Sequence, residues 1–115
     1  MNYEILKFFQ DKKQYSFLST IKEMGPGNIN YLSFPCRGYT LTLDLKMNKD
    51  LKKIYQEFEL LLQKYKTKVY LTKDSLMSKK YFKNAYKDLN KFKEIKEKYD
   101  PLKLINSFQS QRLGF

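Results

Sequence analysis

The segment YTLTLDL, which runs from Tyr39 to Leu45, alternates apolar and polar side chains more regularly than any other part of the chain. Successive side chains of a β-strand point to opposite faces of the sheet, so the segment predicts a strand with one apolar and one polar face. The two faces carry Tyr39, Leu41, Leu43 and Leu45, and Thr40, Thr42 and Asp44, respectively. Such a strand needs an apolar layer from elsewhere in the chain to cover its apolar face.

An amphipathic helix is predicted to supply that layer. Asn48 is a suitable N-cap, and residues 49–66 place apolar side chains at helical spacing on one stripe. The members of the stripe are Leu51, Ile54, Tyr55, Phe58, Leu61, Leu62 and Tyr65. We expect this helix to pack against the sheet face that carries Leu41 and Leu43, which leaves the threonines of the strand on the opposite face.

The remaining segments complete an α+β pattern. Residues 15–24 alternate as a second strand, and residues 68–71 form a short third strand. Three further helices are predicted over residues 3–12, 78–86 and 88–99. The last of these would turn inward Leu89, Phe92, Ile95 and Tyr99. The order α-β-β-α-β-α-α predicts a small antiparallel sheet with helices on one face, while the tail has no clear period.

The charge of the chain comes almost entirely from lysine. Lysine and arginine number 23 against 12 acidic residues, for a formal charge of +11, yet only Arg37 and Arg112 are arginines. Proteins that recognise nucleic acids prefer arginine for hydrogen bonds to base edges and for two-pronged contacts with phosphate. Here the basic residues are nearly all lysines that alternate with acids, so no specific nucleic-acid partner is expected. A small non-catalytic protein that binds RNA or an anionic membrane surface is the alternative function.

Several classes of site are excluded by composition. The chain has no histidine, which removes the commonest general base and the commonest metal ligand. A single cysteine, Cys36, excludes an internal disulfide and a cysteine-cluster zinc site, so no metal is expected. No secretory signal and no membrane span are visible, which predicts a cytoplasmic location, with peripheral membrane association left open by the charge.

The predicted polar face of the sheet collects residues suited to chemistry. Its members are Thr20, Lys22, Thr40 and Thr42 on the first two strands, with Tyr70 and Lys73 at the exit of the third. Asp74 follows Lys73 and is interpreted as a turn residue. Such a face is covered either by water, as in many antiparallel sheets, or by a ligand or another domain, and the pattern by itself leaves both open.

Four stretches in order resemble the C-terminal portion of FAD-linked oxidoreductases of the vanillyl-alcohol-oxidase superfamily. They are FLSTIKEMGPGN (17–28), LSFPCRGYTLTLDL (32–45), KVYLTKDSLMS (68–78) and KYDPLKLINSFQSQRLGF (98–115). The nearest groups are those of decaprenylphosphoryl-ribose oxidase and D-arabinono-1,4-lactone (sugar-lactone) oxidase. The resemblance implies a cover domain whose polar sheet face looks onto the flavin. It also implies oxidation of a CH–OH group of a sugar, sugar-lactone or polyprenyl-phosphate-sugar substrate by hydride transfer.

The resemblance also assigns residues. It implies catalytic roles for Lys73 and for Tyr70, three residues earlier, and substrate- or flavin-facing positions for Lys22, Thr40 and Thr42. One branch of the superfamily carries a cysteine at the position of Thr42, so thiol chemistry is not implied here. The closing pattern of the family is kept only in part. Its matches are Ser107, Arg112 and Leu113, whereas an acid and an arginine are replaced by Phe108 and Gln111.

The FAD is expected to be held by a domain or subunit that this chain does not contain. Its glycines, at positions 25, 27, 38 and 114, form no phosphate-binding loop. Residues 1–115 are therefore interpreted as a single partial domain: a truncated reading frame, a split subunit or the product of a decaying gene. The first ten residues resemble the end of an interrupted helix, which favours a truncated frame.

Overall fold

The computed structural model describes all 115 residues and contains five α-helices and a two-stranded antiparallel sheet. A 3-10 turn over Leu71–Lys73 lies between the second and third helices. The elements, in chain order, are α1 (Asn2–Asp11), β1 (Ser16–Met24), β2 (Gly38–Leu45), α2 (Leu51–Lys64), α3 (Lys79–Ala85), α4 (Leu89–Tyr99) and α5 (Phe108–Leu113). The predicted α+β class is confirmed. None of the helices combines the length and the apolar composition that a membrane crossing requires.

The register of the sheet determines which side chains share a face. Thr20 lies opposite Thr42, and Lys22 lies opposite Thr40. Residues directly opposite each other in an antiparallel pair project from the same face, so these four side chains form one polar surface. The alternation in the sequence predicted this grouping correctly.

The apolar face of β2 packs against the helical core, as predicted. Its leucines at positions 41, 43 and 45 are partly buried against a cluster to which α2 contributes Ile54, Phe58 and Leu62. The other helices and the segment before α3 contribute Ile5, Phe9, Met77, Tyr81, Phe82, Tyr86, Leu89 and Leu113. The helical core therefore covers the β2 part of this face, whereas Ile21 of β1, which lies opposite Leu41, is 57% exposed. The polar face is left free.

Asn48 does not take the N-cap position predicted for it, because α2 begins at Leu51 and its N-cap residue is Asp50. The side-chain Oδ1 of Asn48 accepts hydrogen bonds from the backbone N–H groups of Asp50 and Leu51, both at 3.0 Å. The bond to Leu51 satisfies one of the donors that a helix leaves unpaired at its first turn, so Asn48 still supports the start of α2. Ser78 caps α3 as predicted, because its Oγ accepts from the N–H of Tyr81 at 3.1 Å.

The predicted third strand is wrong. Residues 68–70 join no sheet, and the 3-10 turn begins at residue 71. The backbone carbonyls of this segment, which would bond a neighbouring strand in a sheet, instead accept hydrogen bonds from tyrosine hydroxyls of α3 and of its C-cap residue. Tyr81 donates to the carbonyl of Thr67 at 2.8 Å, and Tyr86 donates to that of Val69 at 2.6 Å. Backbone groups that are shielded from water need partners, and side chains provide them in this half-buried segment.

The C-terminal third departs from the sequence prediction in two ways. The tail contains α5, whose N-terminus has a reciprocal cap between Ser107 and Ser110. In α4, Leu89 is buried as predicted, but Ile95 is 44% exposed and Tyr99 is 76% exposed. The inward orientation predicted for these two residues is wrong, because only the first half of α4 reaches the core.

The amount of exposed apolar surface leads to a prediction for the isolated chain. Only 15 of the 115 residues are buried. Large apolar side chains at least 74% exposed include Phe17, Ile29, Leu102, Leu104, Ile105 and Phe108. We expect the purified chain to self-associate with rising concentration and to unfold below ~45 °C, since exposed apolar surface promotes association and a small core supplies little stability. Light scattering over a dilution series and thermal unfolding by circular dichroism would check this.

A strictly monomeric chain with cooperative unfolding at high temperature would contradict that expectation. It would indicate that the 115 residues form an independent domain and that the exposed apolar side chains need no partner.

Candidate functional site

The polar face of the hairpin is the first component of the candidate site. Thr20, Lys22 and Thr42 are exposed, and Thr40 is half-buried. The ion pairs of the chain do not involve Lys22. The face therefore offers three hydroxyl groups and a cation to whatever covers it.

The connection between the two strands reaches the segment before the 3-10 turn. Lys68 donates through Nζ to the carbonyl of Ser33 at 2.8 Å, and the ring of Phe34 lies 5.0 Å from that of Tyr70, centroid to centroid. The connection also folds closely on itself: a Cβ on Gly27 would lie 2.9 Å from the carbonyl oxygen of Pro35. Only glycine fits there without displacing backbone atoms. This connection therefore links the hairpin to the segment that carries Tyr70.

Lys73 is the last residue of the 3-10 turn rather than a strand-exit residue, and its side chain is exposed. Its backbone N–H donates to the carbonyl of Tyr70 at 3.0 Å, so the turn brings these two predicted site residues together. Tyr70 is 45% exposed. The ion pairs of the chain leave Lys73 without an acidic partner. No hydrogen bond or ion pair joins these two residues to Lys22, Thr40 or Thr42.

Asp74 behaves as the turn residue that the sequence suggested, and it is more deeply buried than its neighbour. Its side chain is 1% exposed, and its Oδ1 accepts from the N–H groups of Leu76 at 3.0 Å and Met77 at 2.7 Å. The guanidinium of Arg112 donates to its Oδ2 at 2.6 Å. The carboxylate next to Lys73 is therefore balanced by an arginine from the far end of the chain.

A second buried carboxylate lies beside this pair and was missed by the sequence reasoning. Glu59, on α2, accepts from both the N–H and the Oγ of Ser78 at 2.6 Å and so supports the start of α3. Burial raises the pKa of Tyr55 well above its usual value, and the nearby carboxylates of Asp74 and Glu59 raise it further. This tyrosine stays protonated throughout the physiological range. A glutamate four residues after Tyr55, inside the apolar stripe of the helix, was the available sequence signal.

A separate cleft of about 430 Å³ lies between α4 and the tail. It is lined by charged side chains of both signs, among them Lys93, Lys96, Glu97, Asp100 and Lys103. The residues predicted for the site all lie elsewhere. Lys96 is already engaged by Asp100, with 3.0 Å between Nζ and Oδ2.

Comparison with known proteins places the chain in a family. The sequence profile of the family described as D-arabinono-1,4-lactone oxidase matches residues 37–112, which is more than half of the chain. The chain belongs to the D-arabinono-1,4-lactone oxidase family. The matched range includes Thr40, Thr42, Tyr70 and Lys73, whereas Lys22 lies before it.

A curated relative extends the likeness over nearly the whole chain. The chain is 28% identical over 109 residues to the decaprenylphosphoryl-beta-D-ribose oxidase of Mycolicibacterium smegmatis, strain ATCC 700084 / mc(2)155. The alignment covers 95% of this chain but only 24% of that relative. The chain therefore spans about a quarter of the length of the oxidase it matches. Together the two matches confirm the resemblance to FAD-linked oxidases carried by the four sequence stretches.

Proposed function

We propose that the chain is the substrate-side cover domain of an FAD-linked oxidase that oxidises a CH–OH group of a sugar or sugar-lactone. In this proposal the FAD is held by a domain or subunit outside the chain. The family match supports the enzyme class. One observation carries the assignment of the site: Lys73 is exposed and without an ion-pair partner, although a carboxylate is its immediate neighbour in sequence.

The residues of the chain suit a bound flavin. Hydride transfer to a flavin is the chemistry that the cofactor would supply, and it leaves negative charge on the flavin ring. An ammonium group such as that of Lys73 stabilises such charge when no carboxylate competes for it. Arg112 neutralises Asp74 and thereby removes the nearest competitor. Lys22, on the open face of the sheet, would serve as a second cation toward an anionic ligand.

The hydroxyl-bearing residues suit a sugar substrate. Thr40 and Thr42 alternate with core leucines on β2, so their hydroxyls project from the polar face. Each hydroxyl can donate one hydrogen bond and accept others, which matches the hydroxyls and ring oxygen of a sugar. Tyr70 adds a phenol whose ring is held against Phe34, and this contact restricts the directions in which its hydroxyl can donate.

The relative suggests how the rest of the enzyme would be supplied. Three quarters of that oxidase lies outside the region aligned with this chain, and that remainder is long enough to contain an FAD-binding domain. The relative's name refers to a decaprenylphosphoryl ribose. We therefore include polyprenyl-phosphate sugars with sugars and sugar lactones as the substrates to be tested.

A chimera tests the proposal. The aligned quarter of the Mycolicibacterium smegmatis oxidase would be replaced by this chain, and bound flavin and its anaerobic reduction by each substrate class would be followed by absorbance. We expect the chimera to retain FAD and to be reduced by at least one class. The isolated chain should retain no FAD, because it lacks a pyrophosphate-binding loop.

The control is the same oxidase with that quarter deleted, which should not be reduced by substrate. A chimera that retains FAD but is reduced by no sugar, sugar-lactone or polyprenyl-phosphate sugar would contradict the proposed function.

A further inference from the structure

We propose that α5 is a clamp that positions Lys73, through Arg112 and Gln109, and this inference rests on the proposed function of that lysine. Both side chains project from the C-terminal helix onto the segment Leu71–Met77, which contains Lys73. Neither residue is proposed to touch substrate or flavin. They are positioning residues that act by holding the backbone on which the ammonium is carried.

Arg112 provides the stronger half of the clamp. One guanidinium nitrogen donates to the carboxylate of Asp74 at 2.6 Å, and the other donates to the carbonyl of Met77. The same carboxylate accepts the N–H groups of Leu76 and Met77, so its three hydrogen bonds and the bond from Arg112 to Met77 tie the turn to the helix. The side chain of Asp74 is 1% exposed and that of Arg112 is 32% exposed. Charge-assisted bonds to a carboxylate sheltered from water are stronger than ordinary hydrogen bonds.

Gln109 provides the other half, on the opposite side of Lys73 in sequence. Its Nε2 donates to the carbonyl of Leu71 at 2.6 Å, and the N–H of Asp74 donates to the same carbonyl at 3.2 Å. The 3-10 turn is therefore held at residue 71 by Gln109 and at residues 74 and 77 by Arg112. Lys73 lies between these fixed points.

The helix that carries the clamp is itself fixed. Leu113 is 1% exposed within the core, and Ser107 and Ser110 cap the first turn of α5 reciprocally. The helix ends at Gly114, which has a φ of +79° that glycine adopts without strain. A six-residue helix is too short to be stable alone, so its position depends on these tertiary contacts.

The clamp matters because Lys73 has little else to orient it. Its side chain is exposed, and its backbone N–H is bonded only to Tyr70 within the same turn. An ammonium stabilises developing charge efficiently when it is already in place, because no reorganisation is then needed during the reaction. If the turn loosens, the lysine is retained but its placement is lost.

Hydrogen exchange on the 115-residue chain tests the clamp without any flavin. In Arg112→Ala, exchange at the amides of Leu76 and Met77 should accelerate about 10-fold to 100-fold, because the bonds that keep this segment closed are lost. Exchange in α2 should change much less. Arg112→Lys keeps the positive charge but loses the pair of guanidinium nitrogens that bond Asp74 and Met77 at once. Its exchange should therefore show an intermediate acceleration.

Gln111→Ala is the matched control, since its side chain is exposed and bonds Asn106 rather than the turn. It should leave exchange at residues 71–77 unchanged. Unaccelerated exchange in Arg112→Ala, or acceleration by the same factor in α2 and in the turn, would overturn the clamp. If Arg112→Ala does not fold, Gln109→Ala replaces it. Exchange at the amide of Asp74 should then accelerate more than exchange in α2, and equal factors would overturn the clamp.

A double-mutant cycle in the FAD-containing chimera tests whether the clamp acts through the lysine. Arg112→Ala should lower the flavin reduction rate at saturating substrate by ~10-fold or more, while KM changes little. Combined with Lys73→Ala, it should cause almost no further loss, because residues that act through one group are not additive. Fully multiplicative losses would overturn the positioning role. A chimera that no substrate reduces would refute the proposed function and leave the exchange result standing.

Discussion

Flavin reduction by substrate is expected to fall by ~10²–10³-fold when Lys73 is replaced by alanine in the FAD-containing chimera, with FAD still bound. The side chain is exposed and has no ion-pair partner, so its removal should not disturb the core. What is lost is a preorganised positive charge, equivalent to roughly 2.7–4 kcal/mol of transition-state stabilisation. Stopped-flow absorbance at saturating substrate measures the rate directly.

Two further variants separate a positioned ammonium from general surface charge. Lys73→Arg should also be impaired, because a planar guanidinium does not occupy the space of a compact ammonium. Lys80→Ala removes an exposed lysine of α3 that lies outside the proposed site, and it should react at the unmodified rate. Near-normal reduction by the Lys73→Ala chimera would show that this lysine is ordinary surface charge.

The largest effect on stability is expected for Phe82→Ala. Phe82 is fully buried, with its ring centroid 5.1 Å from that of Tyr86 and 5.2 Å from that of Phe115. Its truncation should lower the free energy of unfolding by about 3–5 kcal/mol, since the lost apolar contacts are joined by the cost of a cavity. In a chain with few buried residues, that is most of the available stability, and much of the protein should be unfolded at 37 °C.

Phe108→Ala provides the matched control, because Phe108 is 92% exposed. Its unfolding free energy should change by no more than about 0.5 kcal/mol. Urea titrations followed by circular dichroism compare both variants with the unmodified chain. A loss below about 1 kcal/mol for Phe82→Ala would mean that this phenylalanine does not lie in the core described above.

The fold was predicted best in the elements whose apolar residues recur with a regular period. The strand with Leu41 and Leu43 and the stripe on α2 were both predicted from spacing, because burial of one face imposes its period on the sequence. The placement of Thr20 and Thr42 on one face followed from the same rule, and the register that sets them opposite each other came from the structure. Short segments were less predictable: residues 68–71 are apolar and β-branched in part, but tyrosine hydroxyls rather than a second strand bond the carbonyls of Thr67 and Val69.

The sequence proposed residues for the candidate site but not the contacts that hold them in place. Tyr70 and Lys73 could be proposed from the sequence, but their positions just before and at the end of a 3-10 turn could not. The ion pair between Asp74 and Arg112 joins residues 38 positions apart, and no local pattern encodes such a contact. The sequence analysis did not single out Glu59, whose partner Ser78 lies 19 positions later in the chain.

The sequence by itself determined which faces of the hairpin and of α2 are apolar, where α3 is capped, and that lysine dominates the charge. These properties depend on the order of neighbouring residues, and local geometry converts that order directly into structure. Only the tertiary structure decided that Asp74 is paired with Arg112 while Lys73 is left without a partner. The choice depends on where α5 packs, and that position results from core contacts between residues distant in the chain rather than from any local preference.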